Sequence, residues 1–550
     1  MRLSDQDLLN HELWEKAGIA LPRFDRAAMI RATEAEPRWV HFGAGNIFRA
    51  FPAALAQTLL EQGLAQTGIV VAEGYDGEII DKSFTPFDNL TLAATLKSDG
   101  TINKQVIASV ACSFRMDKSL NELKKIFAAP SLQMASFTIT EKGYELTDRD
   151  GILFPAVAED IQAGPAKPQS YLGRIAALCY ERYVRGAPPL AMVSMDNCSH
   201  NGDKLFAAVD AFAKGWTEKG RADAGFLDYV RSRQKLSFPW SMIDKITPRP
   251  DEGVKTMLAA AGLEGLEGAV TAKNTYVAPF VNAEETQYLV IEDFFPNGRP
   301  PLEKTGVLFT DRETVDKVEK MKVCTCLNPL HTALAVFGCL LGYTRISDEM
   351  KNPDLVKLVE GIGYTEGLPA VVDPGIIQPR EFIDVVIKTR LPNPFMPDTP
   401  QRIATDTSQK VPIRFGETIK AYLAGRAGDA GGDAGVDRLT LIPLVLAAWL
   451  RYLLGIDDKG APFEVSPDPL YSSLASVMGG IRLGQTGPFH AALEPILSNR
   501  KIFALDLYEA GLGERIESYF EEMLTGPGAV EAALRKYIGK ADADAGGAPS

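Results

Sequence analysis

Between residues 38 and 194 the hydrophobic positions fall into short runs rich in β-branched and aromatic residues, separated by stretches with helical spacing. Trp39-Val-His-Phe42 and Gly68-Ile-Val-Val-Ala72 read as strands, with a helix over residues 51–63 between them. Residues 105–111, 134–140 and 190–194 add further apolar runs, as expected for strands covered on both faces. This pattern predicts an α/β domain built on a doubly wound parallel sheet. Phe280-Val-Asn282 and residues 286–292 read as extra strands, and Pro296-Asn-Gly-Arg-Pro-Pro301 is turn chemistry. Beyond it the apolar period becomes helical over 311–322, 331–342, 354–361, 380–389, 438–454 and 515–538. Two domains are therefore expected, residues 1–300 with the sheet and extra strands, and residues 301–550 mostly α-helical. Residues 424–437 lack apolar anchors and are expected to form a flexible insertion, and 541–550 a disordered tail.

Length agrees with two domains, because 550 residues exceed what one hydrophobic core supports. The net charge of −13 and a sequence pI near 5.1 argue against a nucleic-acid surface. The start, Met1-Arg-Leu-Ser-Asp, has no apolar signal core, and no apolar run is long enough to span a bilayer, so no membrane association is expected. Six cysteines, at 112, 179, 198, 324, 326 and 339, are too few for a disulfide framework and fit a reducing cytoplasm. The expected partner is a small molecule, handled by a monomer or small homo-oligomer.

Two segments carry candidate chemistry. In Gly43-Ala-Gly45, after the first strand, one glycine allows a tight turn and the other lets backbone approach a pyrophosphate. The third glycine of the usual fingerprint is absent, so the same residues also suit an ordinary strand-to-helix turn. Arg49 is a candidate phosphate contact. Glu73, closing the second strand, is a candidate ribose acceptor that would favour NAD over NADP; Asp76 competes for that role, and either is equally a solvated loop acid.

The second segment runs from Glu319 to His331 and gathers a carboxylate, an amine, an amide and an imidazole. Glu319 and Lys322, three apart, share a helical face and read equally as a surface ion pair. Asn328 precedes a proline and reads as the cap of a helix, which puts His331 in its first turn, where the helix dipole favours neutral imidazole. Cys324 and Cys326 lack the ligand count of a zinc site, and no metal is expected.

Gly43-Ala-Gly-Asn-Ile-Phe-Arg-Ala50, Thr140-Glu-Lys-Gly-Tyr144, Ser194-Met-Asp-Asn-Cys-Ser-His-Asn-Gly202, Ser241-Met-Ile-Asp-Lys-Ile-Thr-Pro248, Glu285–Asp293, Glu319-Lys-Met-Lys322, Leu327-Asn-Pro-Leu-His331 and Asp406–Pro412 occur in an order that resembles the polyol-specific long-chain dehydrogenases, the mannitol dehydrogenase family. The resemblance implies a Rossmann-like domain in which Gly43, Gly45, Asn46, Phe48, Arg49, Glu73, Glu141 and Lys142 bind NAD (as NADH in reduction). It implies metal-independent hydride transfer with Lys322 as general acid or base, Asn197 and Asn328 as donors to the developing alkoxide, His331 positioning substrate, Glu319 relaying protons, and Asp244 as a supporting acid. A free lysine titrates near 10.4, so such a site must lower it for base chemistry at neutral pH. Five residues separate Lys322 from Asn328, one more than the family pattern has, so a bulge is expected there, with Lys320 the alternative amine. Arg390 and Lys410 are candidate anchors for a substrate carboxylate. The expected reaction is interconversion of D-fructuronate and D-mannonate. Alternatives are a neutral polyol dehydrogenase such as mannitol 2-dehydrogenase, a tagaturonate reductase, or a catalytically silent dinucleotide sensor.

Overall fold

A computed structural model describes residues 1–186, 188–427 and 435–546, so the centre of the expected insertion, 428–434, and the last four residues of the expected tail lie outside the described residues. The chain falls into two compact units, residues 1–97 with 101–316, and residues 317–550 with 98–100. The join lies beyond Pro300 because the chain after that turn still adds a strand, Leu308–Thr310, parallel to Tyr288–Glu292.

The first unit contains a six-stranded sheet. We label its strands β1 (Trp39–Phe42), β2 (Ile69–Glu73), β3 (Val110–Arg115), β4 (Met134–Phe137), β5 (Leu190–Ser194) and β6 (Leu236–Ser237). All pairings are parallel, in the order β3-β2-β1-β4-β5-β6. That is the doubly wound dinucleotide-fold order, whose ligand crevice opens at the carboxyl ends of the strands where winding reverses, between β1 and β4. β1, β2, β4 and β5 are buried at every position. Val40, Phe42, Val70 and Ala72 face one core with residues of helices Tyr171–Val184 and Asn201–Glu218, while Trp39, Ile69 and Val71 face another with helix Pro52–Glu61. This two-sided burial is why the strands read as continuous apolar runs rather than alternating ones.

Two expectations change. The apolar run 105–111 is not one strand of the parallel sheet. Ile102–Ile107 pairs antiparallel with Thr91–Leu96 in a separate four-stranded sheet, and Val110 then begins β3. Ala108 and Ser109 make the crossing, and Ser109 Oγ donates to the Ala53 carbonyl at 2.6 Å; apolar content alone does not reveal this change of sheet. Phe280–Glu284 joins the four-stranded sheet, whereas Tyr288–Glu292 joins Ser241–Asp244 in a third.

Among its described residues the regular elements of the second unit are all helical, with one isolated β-bridge between Ile456 and Pro462. Leu441–Tyr452 is buried at every position, consistent with an apolar sequence that has no polar face. It packs against Gly513–Leu524, Asn328–Leu341 and Ala529–Gly546. The last of these carries helix through 541–546, the start of the expected disordered tail, because alanine-rich sequence continues an established helix without a breaker. Among the described residues four segments of the unit are π-helical: Met321–Cys326, Gly361–Gly367, Val386–Arg390 and Pro412–Gly416. Such turns are rare and concentrate at functional sites.

Candidate active site

In the first unit the candidate residues lie at the carboxyl ends of β1, β2, β4 and β5. Gly43 follows β1 with φ 107°, and a Cβ there would lie 2.2 Å from the Thr138 carbonyl oxygen after β4, so only glycine can make this turn. Gly45 differs, since a Cβ there would meet nothing within 4 Å, leaving its backbone open to a ligand. Glu73 is buried and holds the loop: Oε2 accepts from the Ala44 N–H at 2.9 Å, and Oε1 from the Tyr75 and Asp76 N–H groups at 2.8 and 3.0 Å. Asp76 is also buried and accepts from Thr271 Oγ1. A glycine turn at the reversal point, an open second glycine and an acid fixed beside them fit a dinucleotide.

Other residues of this motif serve the fold. Phe48 is fully buried and stacks on His41 at 4.2 Å, so it does not reach a cofactor. Arg49 is 1% exposed, donating to the Ala278 carbonyl at 2.7 Å and to Asn46 Oδ1 at 2.8 Å; it braces the loop rather than facing a phosphate. The helix expected over 51–63 is Pro52–Glu61, starting on a proline suited to a first turn, and a separate short helix, Asn46–Ala50, precedes it and breaks at Phe51. Glu141 and Lys142 lie exposed on the turn after β4, with Glu141 ion-paired to Lys204.

The segment 194–202 shows how one residue is presented. Asp196 is buried, accepting from the Ile139 and Thr140 N–H groups at 3.0 and 2.8 Å and from the Tyr144 hydroxyl at 2.5 Å. Burial nevertheless holds its pKa above the ordinary carboxylate value. Asn201 donates to the Asp196 and Ser241 carbonyls, and Gly202 has no room for a Cβ against the Phe238 carbonyl oxygen. Within this scaffold Asn197 is exposed just beyond β5. Asp244, buried, ends the strand Ser241–Asp244.

In the second unit, helix Arg312–Lys320, whose first residues belong to the first unit, runs into the π-helical turn Met321–Cys326, closed by a hydrogen bond from the Leu327 N–H to the Lys322 carbonyl at 3.1 Å. The wider turn absorbs the extra residue between Lys322 and Asn328. Lys322 is 3% exposed, Lys320 is exposed, and Glu319 is half-buried. Asn328 is not a helix cap. It is the first residue of Asn328–Leu341, because the kink falls at Leu327 (φ −128°, ψ −62°). Among the described residues the Asn328 carboxamide makes no hydrogen bond, which leaves its donors for a ligand.

His331 lies one turn further along. Its Nε2 is buried without a hydrogen bond and 3.5 Å from Asp398 Oδ2. Burial first, then the charges of Arg414, Arg390, Arg402 and Lys410, lower its pKa to about 3. The ring is therefore neutral, as the sequence suggested, although desolvation and cations rather than the helix dipole are responsible. Arg402 pairs with Asp398. Lys410 donates to the Ile403 and Thr405 carbonyls, and Arg390 is buried on its π-helical turn. Sequence reasoning singled out Arg390 and Lys410 but missed Arg402, Arg414 and Asp398. The spacings Asp398/Arg402 and Lys410/Arg414, each four residues, were the available signal, although Asp398 precedes the helix Pro400–Ile403 that carries Arg402.

Residues 37–304 match the family model described as the mannitol dehydrogenase Rossmann domain, and residues 314–524 that of the mannitol dehydrogenase C-terminal domain. The chain is 53% identical to D-mannonate oxidoreductase of Thermotoga maritima over 98% of its own length and all of that protein's. It is 29% identical to the polyol:NADP oxidoreductase of Gluconobacter oxydans, covering 84% of this chain and 87% of that one. Among solved structures, D-sorbitol dehydrogenase in substrate-free form superposes with a TM-score of 0.78 at 25% identity, covering 94% and 97% of the two chains. The mannitol 2-dehydrogenase of Pseudomonas fluorescens, solved as a ternary complex with NAD and D-mannitol, gives 0.68 at 25% identity over 98% and 100%.

Proposed function

Because the chain belongs to the mannitol dehydrogenase family, we propose that it is an NAD-dependent oxidoreductase interconverting D-fructuronate and D-mannonate. The observation that carries this reading is the set of cations that act on neutral His331, Arg414, Arg390, Arg402 and Lys410, with Asp398 beside His331 and Arg402 and with Asp406 and Asp468 acting on Lys410: a concentration of cationic side chains suited to a sugar acid rather than a neutral polyol. Full-length similarity to a D-mannonate oxidoreductase supports the same substrate pair.

Gly43, Gly45 and the Glu73-held loop would hold the dinucleotide, which when bound supplies or accepts the hydride at the carbon bearing the reacting oxygen. Lys322 gives its ammonium proton to that oxygen in ketone reduction and takes it back in alcohol oxidation. Asn197 and Asn328 donate hydrogen bonds to the oxygen as negative charge develops; each such donor contributes about 2.7–4 kcal/mol in comparable sites. Neutral Nε2 of His331 orients a substrate hydroxyl, Glu319 passes the proton between Lys322 and water, and Asp244 serves as a supporting acid. Arg390 and Lys410 contribute positive charge toward the substrate carboxylate.

The test is NAD+ reduction with D-mannonate beside D-mannitol, with the product identified by NMR. D-mannonate should be consumed in preference, yielding D-fructuronate. Preferential oxidation of D-mannitol would move the protein to the neutral-polyol branch.

A further inference from the structure

We infer that Arg414 is the specificity-determining residue of this site, the guanidinium that recognises the substrate carboxylate. The inference rests on the sugar-acid reading above and names the residue that enforces it.

Arg414 lies on the π-helical turn Pro412–Gly416, and its Nη1 donates to Thr332 Oγ1 at 2.6 Å. That hydroxyl in turn donates to the Asn328 carbonyl at 2.9 Å, and Thr332 itself is 1% exposed. The guanidinium is thus braced against the turn that carries both Asn328 and His331. A fixed position matters because a guanidinium binds a carboxylate through two parallel N–H donors, a geometry that a mobile side chain loses entropy to adopt.

The neighbouring cations are engaged differently. Arg402 has Asp398, and Lys410 is held by two backbone carbonyls. Arg414 has a neutral hydroxyl as its hydrogen-bond partner, and among the described residues no carboxylate lies within ion-pair distance of it. Burial lowers its pKa to about 10, and no acidic neighbour opposes that shift. Arg414 is half-buried, and a guanidinium partly withdrawn from water without a counter-charge is stabilised when an anion completes it. His331 Nε2, buried without a hydrogen bond and under the charge of Arg414, is a second polar group available to the same substrate. A carboxylate satisfies Arg414, whereas the hydroxymethyl group of a neutral ketose leaves its charge uncompensated.

The experiment is steady-state reduction of D-fructuronate by Arg414→Gln and Arg414→Lys, with NADH affinity measured separately by fluorescence titration. Losing a charged hydrogen-bond pair should raise KM about 10- to 100-fold, with kcat changed much less, because the carboxylate is bound alike in ground and transition states. Arg414→Lys should recover only part of the loss, and added guanidinium ion should lower the KM of Arg414→Gln. An unchanged KM, or equal loss of kcat and NADH affinity without guanidinium rescue, overturns the assignment. If Arg414→Gln does not fold, Arg414→Lys decides by the same split between KM and kcat. Absence of wild-type turnover on D-fructuronate would instead refute the parent reading.

Discussion

Glu349 offers a test of the packing beneath the candidate site. Its side chain is fully buried, neither carboxyl oxygen has a hydrogen-bond partner, and Oε1 lies where a Cβ on Gly338 would have to go, 2.2 Å away, against the helix that carries Asn328 and His331. Burial alone drives its pKa well above the ordinary value of 4.5, so the folded protein holds this group protonated. The unfolded chain releases the proton above pH 4.5. Over the interval in which only the folded state keeps it, the folded state binds one more proton, so stability falls as pH rises, by about 1.4 kcal/mol per pH unit. Glu349→Gln keeps the shape and removes the proton linkage. The variant should gain stability relative to the parent by about 2.7 kcal/mol between pH 5 and pH 7 if the group stays neutral across that range. Urea unfolding of both proteins at half-unit pH steps measures the difference. A gap that stays flat with pH, or a variant less stable at pH 7 than at pH 5 relative to the parent, would show Glu349 ionised and paired, and would refute the packing described.

Gly43→Ala should abolish measurable NADH binding by fluorescence titration, because its Cβ would have to displace the Thr138 carbonyl that frames the crevice; wild-type affinity would show that the loop does not hold the cofactor. Glu366→Ala should destabilise the helical unit by about 3 kcal/mol or more in denaturant titrations. Its buried carboxylate accepts the Thr440, Leu441 and Ile442 N–H groups at 2.6, 2.6 and 2.8 Å and has no replacement at the start of Leu441–Tyr452. Lys322→Ala should lower kcat by orders of magnitude with NADH affinity nearly intact; equal loss of both would remove its assigned role.

The parallel sheet was legible because strands buried on both faces leave unbroken apolar runs, and β1, β2, β4 and β5 stand where those runs stand. The change of sheet between Ile107 and Val110 was not legible, since it depends on pairing partners distant in sequence, Thr91–Leu96 for one segment and β2 for the other. In the nucleotide loop the glycines announced their geometry, but the burial of Phe48 and Arg49, which the family resemblance put among the cofactor contacts, was not legible, because nothing in the sequence shows which way a short broken helix turns its side chains. The π-helical turns have no residue signature of their own. The one at Met321–Cys326 was visible only as a surplus residue before Asn328, and those at Arg390 and Arg414 not at all. The charge cluster around His331 brings together residues up to 83 positions apart, between His331 and Arg414, so it emerges only from the packed helical unit.

The most direct measurement is NADH oxidation at neutral pH with D-fructuronate and D-fructose side by side. A sugar-acid site predicts rapid turnover of D-fructuronate, with kcat/KM for D-fructose lower by at least the 10- to 100-fold assigned to a charged carboxylate contact. Equal or preferred turnover of D-fructose would contradict the account, leaving the cations around His331 as structural charges.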